Sequence, residues 1–143
     1  MNSDMEPRHL ESAVHILRTI HYLTIATVGE DGQPWNTPVS TSRKEDFSFE
    51  WGSHPESVHS KNIERDGYVF AVVFDSNAPE GKGEAVYLSG RATSVGEKNE
   101  HISLYRFVPE RAWINDDAKN DDGSYKYDIR IPLDVEALRE RLR

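Results

Sequence analysis

The chain has 143 residues, no cysteine and a formal net charge of −8 at pH 7. Without cysteine there are no disulfides, thiolate metal sites or cysteine nucleophiles. The negative charge argues against nucleic acids and anionic membranes as partners, because both would repel the surface.

The length predicts a single domain spanning residues 1–143, with enough chain to bury a core. No apolar run is long enough to cross a membrane, and the polar, acidic residues 1–7 do not resemble a secretory signal. We therefore expect a cytoplasmic protein. After Pro7, apolar residues recur at helical spacing, which predicts a first helix with the proline in its first turn.

A hairpin follows the first helix. Residues 22–28 are rich in β-branched side chains, and Asp31-Gly32 separates them from a second extended run, residues 34–41. An Asp-Gly pair between two such runs is a strong hairpin signal. Pro34 and Pro38 cannot donate to a ladder, so the second strand is predicted to lie at a sheet edge or to be irregular.

The middle of the chain predicts strands around one short helix. A charged turn at residues 43–46 leads to a strand at 47–51, and residues 55–66 predict the helix. Residues 68–74 are the most apolar run and predict a buried central strand. A loop at 75–83 is expected next.

The long strand after that loop, residues 84–95, contains Gly90 as a predicted bulge or point of close approach. The C-terminal third has weaker signals. They predict a short helix at 99–106, a strand at 111–114, an acidic turn at 115–123 and a strand at 125–131. A last helix at 135–142 has Asp134 as its predicted N-cap. Six or seven mainly antiparallel strands with flanking helices predict a small β-barrel.

A polar cluster marks the junction between the strand at 47–51 and the helix that follows. It contains His59, Ser60, Lys61 and Asn62. Free backbone N–H groups at a helix start, together with a nearby lysine, suit a phosphate. The alternative is an ordinary capped helix with a solvated lysine.

Other chemistries find little support. The six histidines lack the spacing of metal ligands and are interpreted as scattered surface residues, so no metal site is predicted. The acidic loop lacks the closing glutamate of an EF-hand. No nucleophile elbow, P-loop or dinucleotide fingerprint is present. Trp35, Trp51 and Trp113 are interpreted as core residues, with stacking on a flat ligand as the alternative.

The ordered pattern resembles a known family. Leu23-Thr24-Ile25-Ala26-Thr27-Val28 is followed by Gly-Glu-Asp-Gly-Gln-Pro, Thr37-Pro38-Val39-Ser40, His59-Ser60-Lys61-Asn62-Ile63 and Val86-Tyr87-Leu88-Ser89-Gly90-Arg91-Ala92. Together these segments resemble the pyridoxamine 5′-phosphate oxidase-like family of FMN-binding split β-barrels. The resemblance implies an antiparallel, Greek-key-type barrel and a homodimer with FMN at the subunit interface.

The resemblance also implies a set of cofactor-binding residues. The strand at 35–40 would run along the flavin ring, the end of the next strand would lie near the cofactor, and the junction would hold the phosphate. The residues concerned are Trp35, Asn36, Thr37, Pro38, Val39, Ser40, Glu50, Trp51, His59, Ser60, Lys61 and Asn62.

The function implied is that of an FMN-dependent oxidoreductase acting on an unidentified small molecule. The oxidases proper have basic residues where this chain has Trp35 and Ser40, so the substrate stays open, and no catalytic acid or base is assigned. The alternatives are a flavin-binding or flavin-storing protein without dedicated turnover, and a relative that uses the deazaflavin F420 or haem.

Overall fold

The computed structural model describes residues 5–81 and 83–143. Residues 1–4, which belong to the segment that argued against a secretory signal, lie outside the described residues. So does Lys82, in the predicted loop at 75–83. Among the described helices, none is both long enough and apolar enough to span a membrane.

The described residues form eight strands and three helices. The helices are α1 (Pro7–Thr19), α2 (Val58–Arg65) and α3 (Val135–Arg141). The strands are β1 (Tyr22–Val28), β2 (Pro34–Ser40), β3 (Ser42–Arg43), β4 (Phe49–Ser53), β5 (Tyr68–Phe74), β6 (Ala85–Glu97), β7 (Ser103–Lys119) and β8 (Tyr125–Leu133).

All the described strands belong to one antiparallel sheet. Its order is β2-β1-β5-β6-β7-β4-β3, and β8 pairs with β7 outside this path. Because β1 pairs with β5, the chain passes through β3 and β4 at the other end of the strand order and through α2 before it returns to pair beside β1. The sheet does not close on itself, and the predicted antiparallel split-barrel class is confirmed.

The core lies on one face of this sheet. Alternate residues of β1 and β5, among them Leu23, Ile25 and Val69, are at most 1% exposed. Helix α1 covers this face because its apolar stripe, including Val14 and Leu17, is buried against it. The opposite faces of these strands are half-buried or exposed.

The C-terminal third differs from the sequence prediction. The prediction of a helix at 99–106 is wrong. Residues 99–102 form a tight turn, and β7 begins at Ser103. Asn99 forms this turn by accepting the backbone N–H groups of His101 and Ile102 on its side chain. The following residues then pair with β4 on one side and β6 on the other, and this pairing outweighs local helix propensity.

Strand β7 is also longer than the strand predicted at 111–114. It continues through most of the predicted acidic turn at 115–123, because residues up to Lys119 pair with β8. The turn itself is confined to the few residues before β8, where the Asn120 and Ser124 backbones hydrogen-bond to each other. Pairing with β8 therefore makes the acidic segment part of a strand, although its composition predicts a loop.

The charged turn before β4 has its own geometry. Phe47, which was predicted to start a strand, has a φ of 65° and lies in a turn in which its N–H donates to the Lys44 carbonyl. Its ring is fully buried and contacts Phe49 edge-on at 5.7 Å. β4 therefore begins two residues later than predicted, and residues 42–43 form the short strand β3.

Several local signals are confirmed. Gly32 adopts a φ of +85° in the β1–β2 hairpin, and β2 lies at one edge of the sheet as its prolines predict. At Gly90 the β6–β7 register shifts, and a Cβ there would lie 2.0 Å from the Val108 carbonyl oxygen. Asp134 caps α3 by accepting the Ala137 N–H at 3.1 Å.

Candidate functional site

Strand β2 carries half of the predicted site residues on an open edge. Every second backbone group of an edge strand points away from its neighbour, here β1, and is free for another partner. Most of its side chains are exposed, namely those of Trp35, Asn36, Pro38 and Ser40, whereas Thr37 is half-buried and Val39 is buried. The strand therefore offers a polar backbone edge and one large exposed aromatic ring.

The junction between β4 and α2 forms a small polar cluster. His59 is half-buried, and its Nε2 lies 2.9 Å from the Ser53 Oγ at the end of β4. Burial lowers the pKa of His59, so the imidazole is neutral near pH 7. The Ser57 hydroxyl donates to the His54 carbonyl and lies 2.7 Å from the Ser60 Oγ.

The start of α2 is uncapped. Ser57 occupies the N-cap position, but its side chain makes no hydrogen bond to the N–H groups of the first turn. These groups and the positive end of the helix dipole favour an anionic ligand. The start of α2 therefore has N–H groups without a side-chain cap, with Ser53 and Ser57 beside them, and phosphate binding there stays a prediction.

The other predicted junction residues point in different directions. The Asn62 Nδ2 donates to the Thr27 Oγ1 at 3.0 Å, and both side chains are buried, so this bond ties α2 to β1. Lys61 lies on the exposed side of the helix, with its Nζ 2.8 Å from a Glu56 carboxylate oxygen. This hydrogen bond raises the pKa of Lys61 and lowers the pKa of Glu56.

Glu50 and Trp51 follow one another on β4 and point to opposite faces of the sheet. The half-buried Glu50 carboxylate accepts two hydrogen bonds from Arg106, at 3.1 and 2.8 Å. Lys44 lies 3.8 Å from the same carboxylate. Trp51 is buried and stacks on Tyr105 with 6.0 Å between ring centres, and its indole N–H has no partner among the described residues.

Three predicted residues meet at one cavity of about 320 Å³. Ser40, Glu50 and Trp51 line it together with Lys44 and Lys98. The structure thus brings the end of β2 next to β4, whereas the junction residues 59–62 do not line this cavity. The predicted set is therefore distributed over the β2 edge, this cavity and the start of α2.

The predicted set of cofactor-binding residues omitted two members of the polar cluster, Ser53 and Ser57. Each had a usable signal, because Ser53 ends the strand before the junction and Ser57 stands at the N-cap position of the helix. The prediction instead selected Lys61, whose charge is evident from sequence but whose direction on the helix depends on where α2 packs.

The interpretation of all histidines as surface residues is wrong for His9. Its side chain is buried because α1 packs its first turn against β7, where the His9 Nε2 lies 2.7 Å from an Asp116 carboxylate oxygen. Within the described part of the chain, no group of three or more potential metal ligands comes together.

A second distinctive surface is the outer aromatic face, formed by Tyr68, Phe70, Phe74, Tyr87 and Trp113 on the side of the sheet opposite the core. Cross-strand pairing places these residues on the same side of β5, β6 and β7. The rings of Phe70 and Trp113 stack at 5.8 Å, and Tyr68 and Phe74 are 46% and 45% exposed. Trp113 is thus not a core residue but part of a half-exposed aromatic surface.

An open antiparallel sheet with a bulged long hairpin, a free edge strand and an uncapped helix start defines a split-barrel protein. Residues 10–125 match the family model described as pyridoxamine 5′-phosphate oxidase. This match covers most of the sequence, and the chain belongs to that family.

Solved structures support the same fold. A haem-binding protein from Mycobacterium smegmatis matches with a TM-score of 0.72 and 16% identity, over 95% of this chain and 62% of that one. A haem storage protein from Vibrio cholerae matches with a TM-score of 0.61 and 15% identity, over 71% of this chain and 91% of that one.

A third structure, described as a putative pyridoxamine 5′-phosphate oxidase from Listeria innocua, matches with a TM-score of 0.61 and 14% identity, over 73% of this chain and 96% of that one. At these identities the similarity establishes the fold alone. The chain spans less than two thirds of the length of the Mycobacterium smegmatis protein. A comparison with curated proteins gave no match.

Proposed function

We propose that the protein binds FMN and acts as an FMN-dependent oxidoreductase on a small molecule. The observation that carries this proposal is the uncapped start of α2, flanked by His59 and Ser53, on the same molecule as an edge strand whose backbone is free. FMN has a phosphate at one end and a flat polar ring at the other. The start of α2 suits the phosphate, and the free backbone edge of β2 suits the ring.

The residues present fit the cofactor. For the phosphate, the first turn of α2 supplies N–H donors, Ser53 and Ser57 supply hydroxyls, and His59 supplies an imidazole. For the ring, residues 35–40 supply backbone groups and the exposed indole of Trp35. Lys61 would add charge after leaving Glu56.

Bound FMN would supply the redox chemistry, while the chain supplies binding, orientation and electrostatics. The edge of β2 would fix the plane of the ring, and the polar cluster would fix the phosphate. Trp51 lines the cavity at the end of β2, and its buried indole N–H has no partner among the described residues. No side chain is assigned a proton-transfer role.

The proposal includes a homodimer. The outer aromatic face combines aromatic rings with arginines, since Arg91 lies 4.9 Å from the Tyr68 ring centre, Arg111 lies 4.8 Å from that of Trp113 and Arg130 lies 3.8 Å from that of Tyr87. Aromatic residues and arginine are enriched in protein interfaces. A second copy of the chain would cover this face. We also propose a cytoplasmic location, which suits a chain without cysteine.

Haem binding is the second candidate function. Two structural neighbours are described as haem-binding and haem storage proteins. On this chain, the half-buried and neutral imidazole of His59 is the type of ligand that haem iron takes. Haem would require the His59 Nε2 to leave Ser53, whereas FMN would use the existing arrangement.

The first test is the visible absorption spectrum of the purified protein, before and after incubation with FMN and dialysis. We expect retained flavin bands at about one FMN per subunit, as for a largely preformed site. Retention of haem by the wild-type protein, and loss of haem in the His59→Ala variant, would favour the second candidate. A protein that retains neither would contradict both, and F420 would be the next ligand to test.

Turnover is tested separately from binding. The FMN-loaded protein is mixed anaerobically with NADH or NADPH, and bleaching of the flavin band is followed. Reduction by a donor, followed by rapid reoxidation with an added acceptor, supports an oxidoreductase. Tight binding with no reduction by either donor would support a flavin-storing protein.

A further inference from the structure

A cavity of about 380 Å³ lies between the C-terminal end of α1 and strand β3. Arg18 and Arg43 line it together with His21, Thr41 and Ser42. It contains none of the residues at the start of α2, so it is separate from the proposed phosphate site of FMN. Its wall is shared, through His21, Thr41 and Ser42, with the cavity at the end of β2.

The charge of this cavity is unusual for the chain. The sequence has 25 acidic and 17 basic residues, yet no aspartate or glutamate lines the cavity. Neither Arg18 nor Arg43 forms an ion pair with a carboxylate of the described residues. Two guanidinium groups therefore share a small space without a fixed counter-charge.

The chain holds the two arginines close together. The Arg18 Nη2 donates to the Arg141 carbonyl at 2.6 Å, and the Arg43 Nη1 donates to the Leu142 carbonyl at 2.9 Å. Both side chains are thus fixed to the end of α3. Burial lowers the pKa of Arg43, and the nearby charge of Arg18 lowers it further.

A structural role in capping α3 uses only part of these side chains. A guanidinium carries five N–H donors, and the carbonyls of α3 occupy one on each arginine. The remaining donors have a fork geometry that matches phosphate and carboxylate oxygens. The ends of α1 and α3 carry partial negative charges of about half a unit each, which leaves a net positive charge of about one.

We propose that this cavity binds a small oxyanion of the phosphate class, recognised by Arg18 and Arg43 with the Ser42 hydroxyl as a further donor. The anion would relieve the repulsion between the two guanidinium groups. Because the cavity adjoins the end of β2 through a shared wall, the bound anion would lie beside the predicted ring-binding strand.

The test is a titration with inorganic phosphate at constant ionic strength, followed through the Nε–Hε signals of the arginine side chains by NMR. Assignments come from Arg18→Lys and Arg43→Lys variants. We expect saturable shifts of both signals, and no saturable shift for Arg91, which is exposed and lies 3.8 Å from Asp66. The same titration in the presence of FMN should give unchanged shifts, because the cavity is separate from the proposed FMN phosphate site.

A binding variant completes the test. Arg43→Met should weaken phosphate binding by about tenfold or more, the scale of one hydrogen bond to a charged group. If that variant does not fold, Arg18→Met gives the same readout, because its side chain is exposed. Glycerol 3-phosphate as a parallel probe distinguishes a phosphate ester from the free anion by tighter binding.

Two outcomes would overturn the proposal. One is a uniform, non-saturating shift of all arginine signals, which reports charge screening. The other is unchanged phosphate affinity in the variants, which would show that the two arginines serve only to cap α3.

Discussion

His9 and Asp116, which are 107 positions apart, join the first turn of α1 to β7 through a 2.7 Å contact between Nε2 and Oδ2. The His9 Nδ1 accepts the Glu6 N–H at 3.0 Å, so the neutral ring carries its hydrogen on Nε2 and donates it to Asp116. Arg8 donates to the same carboxylate oxygen at 2.8 Å. Asp116 therefore fixes the helix that covers the core.

Replacing Asp116 with alanine should destabilise the fold. His9 is 3% exposed, and loss of its acceptor would leave a buried N–H without a partner. This arrangement costs about 1–3 kcal/mol. Urea unfolding measures the difference, with Asp117→Ala as the matched control. Asp117 is exposed and forms a surface ion pair with Lys119, so that variant should change stability by less than about 0.5 kcal/mol. Equal losses in the two variants would show that the contact contributes nothing.

Asp116 should also make stability depend on acid pH. Burial alone would raise its pKa, but hydrogen bonds from His9, the Asp117 N–H and Arg8 outweigh burial and lower the pKa to about 2. A carboxyl with a lowered pKa stabilises the folded state above its unfolded pKa of about 3.9, and this contribution is lost as pH falls toward 2. Unfolding free energies between pH 5 and pH 2 should fall less steeply in Asp116→Asn. Equal slopes would contradict the assignment.

Gly90 should tolerate no side chain. A Cβ there would lie 2.0 Å from the Val108 carbonyl oxygen, a backbone atom that cannot move aside alone. Gly90→Ala should therefore cost about 2 kcal/mol or more, as for overpacked sites. Gly83 is the matched control, since a Cβ added there would have nothing within 4 Å and alanine should be neutral or slightly stabilising. The midpoint of thermal unfolding measures both effects, and equal midpoints for Gly90→Ala and Gly83→Ala would contradict this prediction.

The predictable parts of the fold were those with local chemical signals. The Asp-Gly pair gave the β1–β2 hairpin, the prolines gave the edge position of β2, and Gly90 gave the bulge. Residues 99–119 were mispredicted because the state of β7 depends on its pairing with three other strands, β4, β6 and β8. An acidic, weakly alternating segment carries no sequence signal for such pairing.

The site was predictable by segment but not by side-chain direction. The sequence predicted a helix at 55–66, but α2 begins only at Val58, and which of its polar residues face the junction depends on how the helix docks. The Asn62 side chain already forms a buried hydrogen bond to Thr27, and the Lys61 side chain forms an exposed ion pair with Glu56. Trp113 likewise changes from a predicted core residue to a surface one because β7 presents it on the outer face.

His59 should contribute more to FMN binding than Lys61. The imidazole already lies at the uncapped end of α2, so His59→Ala should weaken FMN about tenfold or more, the scale of a hydrogen bond to a charged group. Lys61→Ala should weaken FMN less, because this lysine is exposed and paired with Glu56. Fluorescence titration with FMN measures both affinities.

Glu56→Gln is the matched control for the lysine. It removes the partner that holds Lys61, so FMN affinity should stay equal or rise. If Lys61→Ala abolishes binding while His59→Ala leaves it unchanged, the phosphate lies on the exposed side of α2 and not at the cluster with Ser53.

The outer aromatic face should hold two copies of the chain together. Phe74 is 45% exposed at the end of β5, and a carboxylate at this position would be buried without a partner in a dimer. We expect the wild-type protein to sediment as a dimer at micromolar concentration and Phe74→Asp to sediment as a monomer with weaker FMN binding. Val95→Asp, at a 43% exposed position near the end of β6, should remain dimeric. A monomeric wild type, or a dimeric Phe74→Asp, would contradict the assignment of this face.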